Sequence, residues 1–171
     1  MSMNNEIDKA AGILSPGGTI LYPTDTIWGI GCNALLPDAV EKIYRIKQRN
    51  DKKAMLVLVD SADMLDDYVE EIPEMALEII SLTNEALTII YPGAVGLAEN
   101  LIHADGSVGI RITTDPFCKG LIKALGKPVV STSANVTGRP SPAYFNKIYS
   151  LLYSKLKLDK PYIRCPNYFV L

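Results

Sequence analysis

The sequence predicts an α/β layer fold with a largely buried sheet. Short apolar runs of strand length recur along the chain, stretches with helical apolar spacing separate them, and several of the runs lack the polar alternation of a half-exposed strand. At 171 residues the chain has the size of one domain, able to close a single core without disulfides or metals. A single domain over residues 1–171 is the expectation.

The elements follow in order. Ile7, Ala10, Ala11 and Leu14 repeat at helical spacing across residues 6–14, and Gly17 and Gly18 stop that helix. Residues 19–22 read as a short buried strand, which Pro23 breaks into the loop Thr24-Asp25-Thr26. A glycine-punctuated stretch, Gly29-Ile30-Gly31, leads to Pro37-Asp38, which starts a helix with Val40, Ile43, Tyr44 and Lys47 on one face. A strand is expected at 54–59, helices at 62–69 and 74–82, and strands at 87–91 and 108–112. Asp115-Pro116 has the form of an N-cap followed by proline in the first turn; Phe117, Leu121 and Leu125 make the stripe and Gly126 the stop. Pro128-Val129-Val130 is a further strand, and a last helix runs from about Pro142 with Phe145, Ile148, Leu152 and Leu156 inward.

Composition excludes some classes. Hydrophobic residues at 48% and charged residues at 21% are those of an ordinary globular chain. A net charge of −2 gives no global drive toward nucleic acid, which leaves local clusters to decide. Three widely spaced cysteines, Cys32, Cys118 and Cys165, without a C-x-x-C pair, fit a reducing compartment. With no basic-then-apolar leader and no membrane-length apolar run, a cytoplasmic location is expected.

Three stretches can carry chemistry. Residues 22–31, Tyr-Pro-Thr-Asp-Thr-Ile-Trp-Gly-Ile-Gly, bring two hydroxyls and a carboxylate out of a buried strand; the same residues also suit a turn bonding its own backbone. Residues 47–53, Lys-Gln-Arg-Asn-Asp-Lys-Lys, form a cationic helix exit, or merely a solvated cap favoured by the macrodipole. Lys47 and Arg49 converge on one ligand only if the helix unwinds there. The third, Ser131-Thr132-Ser133-Ala134-Asn135 with Thr137 to Pro140, reads as a polar loop after a buried strand, offering donors to phosphate and acceptors to an amine. Arg111 sits inside an apolar strand, where a guanidinium needs an anion or acceptor, making it the best carboxylate clamp in the chain. His103 is the only histidine and gets no role, and Trp28 and Tyr22 read as core aromatics. No Walker loop or G-x-G-x-x-G occurs.

Taken in order, Tyr22-Pro-Thr-Asp-Thr with Gly29-Ile-Gly, Lys47-Gln-Arg49, Pro92-Gly93, Gly109-Ile-Arg111 and Ser131-Thr-Ser-Ala-Asn135 resemble the YrdC-like family of threonylcarbamoyl-adenylate synthases over roughly residues 6–145. The resemblance implies a twisted, open mixed sheet with helices around it and a concave basic cavity. It implies that threonine is carboxylated on its amine with bicarbonate, and that the carbamate attacks the α-phosphate of ATP, with Mg²⁺ bridging triphosphate oxygens and pyrophosphate leaving. The product would serve proteins that transfer the threonylcarbamoyl group to tRNA, so tRNA itself is a possible partner. By position, Thr26, Arg111 and Ser131 resemble threonine-binding residues; Arg49, Lys53, Ser107, Ser133 and Asn135 resemble ATP-binding ones; and Lys47 and Arg49 stand where catalytic cations are expected.

The sequence departs from the family at Lys53-Ala54, where many relatives have Asn-Pro or Lys-Pro, and at Ala94-Val95-Gly96. It departs again at Leu58, where some place a threonine-contacting histidine. A Ser-Thr segment and a late arginine that close the ATP site in relatives have no counterpart before Leu171, so weak ATP binding is expected. The apolar tail 161–171 must pack on its own domain or pair with another subunit, which makes a homo-oligomer through it an expectation. Two other readings stay open: a non-catalytic RNA-binding module of the same fold, and a carbamoyl-adenylate enzyme acting on another substrate.

Overall fold

A computed structural model describes residues 3–22, 24, 26–47, 55–83 and 85–135, with the main chain of 164–165 and 168–170. Eight strands form one sheet in the order β4-β5-β3-β6-β2-β1-β8-β7. They are β1 (Ile20–Tyr22), β2 (Gly29–Asn33), β3 (Leu56–Val59), β4 (Ile89–Tyr91), β5 (Val108–Ile112), β6 (Val129–Ser133), β7 (Arg164–Cys165) and β8 (Tyr168–Val170). Among the described residues only β3 and β5 pair in parallel; the other pairs are antiparallel, so the sheet is mixed and open.

Strand alternation divides the sheet into two faces. Leu21, Ile30, Cys32, Val57, Val59, Ile110 and Val130 meet Val40, Ile43 and Tyr44 of α2 (Pro37–Ile46) in one core. On the opposite face Ile20, Tyr22, Leu58 and Val129 pack under α1 (Met3–Leu14) and α5 (Pro116–Leu125), which supply Ile7, Ala10, Leu14, Phe117, Leu121 and Ile122. Each aliphatic side chain so buried is worth about 1.5–3 kcal/mol, which is what holds these helices to the sheet. The expected α5 signals hold: Asp115 accepts a bond from the Cys118 N–H at 2.8 Å, and Gly126 ends the helix at φ 65°.

Two expectations are corrected, and one stretch gains an element. Gly29-Ile-Gly31, which the sequence left without one, begins β2, because glycine is what the sheet needs there. A Cβ on Gly31 would lie 2.7 Å from Tyr22 Cε1 and 2.8 Å from the Val130 carbonyl. The hydroxyl run 131–133 is likewise strand and not loop, since Ser131 pairs with Gly31 on one side and Leu56 on the other. The helix expected over 62–69 stops early, as α3 (Ala62–Asp66), because the following residues pair with the 93–95 segment. Glu70 N–H bonds Gly93 O at 2.8 Å, Val95 N–H bonds Tyr68 O at 3.0 Å, and Val69 bridges Ala94. The helix at Glu74–Leu82, α4, is as expected.

The tail also takes a definite place. β8 pairs antiparallel with β1 (Ile20 with Val170, Leu21 with Phe169), and β7 folds back on β8. β8 therefore makes its main-chain pairs within the chain, the first of the outcomes the sequence left open, while β7 forms the edge of the sheet. The helix expected from Pro142 lies outside the described residues. No helix among the described residues is long and apolar enough to cross a membrane.

Candidate functional site

A cavity of about 220 Å³ opens on the face that carries α1 and α5, lined by Thr24, Thr26, Ile27, Gly29, Leu58, Arg111 and Ser131, with Met55, Leu56, Thr132 and Ser133 completing it. Register explains why these residues meet. Leu58 lies opposite Arg111 of β5 and Val129 of β6, Leu56 opposite Ser131, and Gly29 opposite Ser133, so their side chains share one face. The apolar part of this face is covered by the two helices; the part bearing hydroxyls and the guanidinium is the cavity floor. Gly29 keeps the floor low, since a Cβ there would stand 3.1 Å from Ser131 Oγ and 3.2 Å from Thr24 Cγ2.

All three expected threonine-binding residues, Thr26, Arg111 and Ser131, line this one cavity. The rim is held by turn chemistry: Thr24 Oγ1 donates to the Ile27 carbonyl at 2.8 Å and accepts from the Thr26 N–H at 3.2 Å. The turn bonds are thus made by Thr24, and Thr24 and Thr26 both line the cavity. Arg111 is half-buried rather than buried, and its Nε and Nη2 both donate to Thr88 Oγ1, at 3.1 and 2.9 Å. The sequence reading missed Thr88; a hydroxyl just ahead of an edge strand gives no local sign that it will face an arginine 23 residues later.

Lys47, expected as a catalytic cation, is bonded within the chain. It is 3% exposed and stands at the C-cap of α2. Its ammonium donates to the Ser133 carbonyl, to the Asn135 carbonyl at 3.0 Å, to Asn135 Oδ1 at 3.3 Å and to Ser133 Oγ at 3.4 Å. Ser133 Oγ in turn donates to Asn135 Oδ1 at 2.5 Å. The motif's two ends therefore meet, but the bonds are spent on shaping the end of β6: Lys47 and Asn135 do not line the cavity, while Ser133 does. A phosphate drawing on the Ser133 proton would have to displace Asn135.

Ser107 is not brought to the cavity. It closes a turn ahead of β5, where its N–H and hydroxyl bond Asp105 Oδ1 at 3.0 and 2.7 Å, and these bonds hold the Asp105 carboxyl below its ordinary range. Four residues of extended chain separate it from Arg111, about 13 Å. Arg49 and Lys53, like Asp25 and the stretch from Thr137 to Pro140, lie outside the described residues. Leu58, in place of the family's histidine, is 2% exposed and forms apolar floor beside Arg111. Cys32 and Cys118 are buried thiols, and Trp28 and Tyr22 belong to the packed interior. Among the described residues no group of three or more His, Cys, Asp or Glu could hold a metal, and no carboxylate lines the cavity.

An arginine, a row of hydroxyls and an apolar patch line a cavity below the roughly 300–1,000 Å³ of drug-sized sites, in an α/β protein whose site chemistry suits a small carboxylate or other anion bearing a hydroxyl. The chain belongs to the Sua5/YciO/YrdC family, whose pattern, described as telomere recombination, matches residues 12–166. It is 34% identical over 147 residues to a threonylcarbamoyl-AMP synthase of Cellvibrio japonicus, covering 81% of this chain and 74% of that one. A synthase of the same name from Pseudoalteromonas translucida is 35% identical over 142 residues, covering 81% and 76%. Among solved structures, P. abyssi Sua5 complexed with L-threonine matches with a TM-score of 0.82 at 27% identity, over 89% of this chain. This chain spans 45% of that Sua5.

Proposed function

We propose that this chain synthesises threonylcarbamoyl-adenylate from L-threonine, bicarbonate and ATP, releasing pyrophosphate. The observation that carries the reading is the convergence of Arg111, Ser131 and Thr26 on one small cavity in a chain whose relatives are threonylcarbamoyl-AMP synthases. Arg111 holds the threonine carboxylate with two N–H donors, and Ser131 and Thr26 read the amine and hydroxyl. The threonine amine bonds the bicarbonate carbon as a C–O bond breaks, the hydroxyl leaving with an amine proton as water, to give a carbamate. A carbamate oxygen then bonds the α-phosphorus as the bond to the β-phosphate oxygen breaks.

In this reading Arg49 and Lys53 offset triphosphate charge, Ser133 and Ser107 mark the nucleotide's course away from Arg111, and catalysis rests on positioning and electrostatics. Lys47 and Asn135 shape that end of the site rather than touch the reacting atoms. The described side chains do not fit a resident Mg²⁺, so the ion is taken to arrive on triphosphate oxygens. We place the enzyme in the cytoplasm as a single domain, supplying its product to proteins that modify tRNA.

The test is incubation with threonine, bicarbonate, Mg²⁺ and ATP, followed by mass-spectrometric detection of threonylcarbamoyl-adenylate and pyrophosphate. Product with threonine and not with other amino acids supports the reading. Threonine-independent pyrophosphate release, or no product at all, overturns it.

A further inference from the structure

Charge is segregated along this chain. Residues 54–102 contain ten Asp and Glu and no Lys, Arg or His, while the remainder carries 17 Lys and Arg against nine Asp and Glu. A net charge of −2 thus conceals an acidic module fused to a basic one. Asp63, Asp66, Asp67, Glu70, Glu71, Glu74 and Glu78 are all exposed, on α3, on α4 and between them.

The same region has apolar surface exposed among the described residues. Only Ala76 of α4 is buried, with Ile80 packed beside it against the core. Met75 is 70% exposed, Ile79 44% and Leu82 78%. These three are spaced i, i+4, i+7 and so form one line along the helix, between the core-facing line of Ala76 and Ile80 and a rail formed by Glu74 and Glu78. A helix with a second, outward apolar stripe loses free energy by leaving it in water, and a soluble chain rarely keeps such a stripe without use.

We infer that the α4 face is a docking surface for a cationic amphipathic helix of a partner protein, whose apolar residues cover Met75, Ile79 and Leu82 and whose Lys or Arg side chains face Glu74 and Glu78. Complementary charge chooses this occupant. A second copy presenting the same face would set these carboxylates against one another, and the phosphates of an RNA would be repelled by the whole module. The surface is remote in sequence from the cavity residues on β2, β5 and β6, so the inference stands apart from the proposed reaction.

The experiment titrates the isotopically labelled full chain with a synthetic helical peptide carrying Leu at i, i+4 and i+7 flanked by lysines, and with its partner in which every lysine is glutamate. The lysine peptide is expected to shift the amide signals of 74–82 and to weaken at least tenfold between about 0.05 and 0.3 M salt. Leu82→Ser should abolish the shifts, and Glu74→Lys with Glu78→Lys should weaken binding tenfold or more, each without loss of threonylcarbamoyl-adenylate synthesis. Equal binding of both peptides, no binding, shifts produced by tRNA at these residues, or a dimer that Leu82→Ser dissolves in sedimentation would each overturn the inference.

Discussion

Thr88 Oγ1 accepts from two nitrogens of Arg111, Nε at 3.1 Å and Nη2 at 2.9 Å, so a single hydroxyl on the approach to β4 sets the plane of the guanidinium. A bidentate carboxylate clamp depends on that plane. Thr88→Val keeps the shape and removes the acceptor; a hydrogen bond to a charged group is worth about 1.5–3 kcal/mol, on the order of tenfold or more. The threonine KM is expected to rise by that factor with the ATP KM unchanged, and Thr88→Ser should restore it. Equal changes in both constants would show that Thr88 only braces the sheet.

Arg111→Ala removes the clamp itself. Calorimetry on a variant with a native circular dichroism spectrum should show threonine affinity falling at least tenfold while ATP affinity holds. Matched losses would refute the division of the site.

Lys47→Met tests the positioning role. Its ammonium satisfies carbonyls of Ser133 and Asn135 in a buried place, and each polar group left unsatisfied costs about 1–3 kcal/mol. In a domain of this size each kcal/mol lowers Tm by about 2–4 °C, so a fall of several degrees is expected in a thermal melt. A variant with parental Tm but no ATP binding would return Lys47 to the role of ligand.

Burial pushes the Cys32 thiol from near 9 up to about 12, with Lys42 pulling weakly the other way. Only the thiolate reacts, so at pH 8 a disulfide reagent should leave Cys32 untouched in the folded chain and modify it once urea is added. The linkage has a matching sign: the unfolded chain releases this proton first, so the contribution of Cys32 to stability is complete below pH about 9 and is lost as pH rises toward 12. Rapid labelling of Cys32 under native conditions would contradict its burial.

The helices were legible because their caps and spacing are local: Asp115-Pro116, Gly126 and the lines Ile7-Ala10-Leu14 and Val40-Ile43-Tyr44 are each written within one element. The site residues Thr26, Arg111 and Ser131 were legible as chemistry that leaves apolar strands. What escaped is what depends on a neighbour distant in sequence. Gly29 and Gly31 look like loop residues until Tyr22 and Ser131 occupy the space their side chains would take. Ser131 to Ser133 look like solvent-loving residues until β2 pairs with all three and β3 with Ser131. Thr88 has no meaning before β4 pairs with β5, and the ammonium of Lys47, read as a catalytic cation, is drawn to carbonyls that belong to residues far along the chain.

Because β6 is an interior strand, Ser131 and Ser133 are spaced by the pleat itself, about 6.6–6.8 Å apart, with β2 beside both and β3 beside Ser131 locking the register. The sheet therefore acts as a ruler whose graduations cannot slide. A change of side chain at either mark can retune what is held there, but inserting one residue would turn the following hydroxyl to the opposite face of the sheet. Substitution is open to this site; a change of spacing is not.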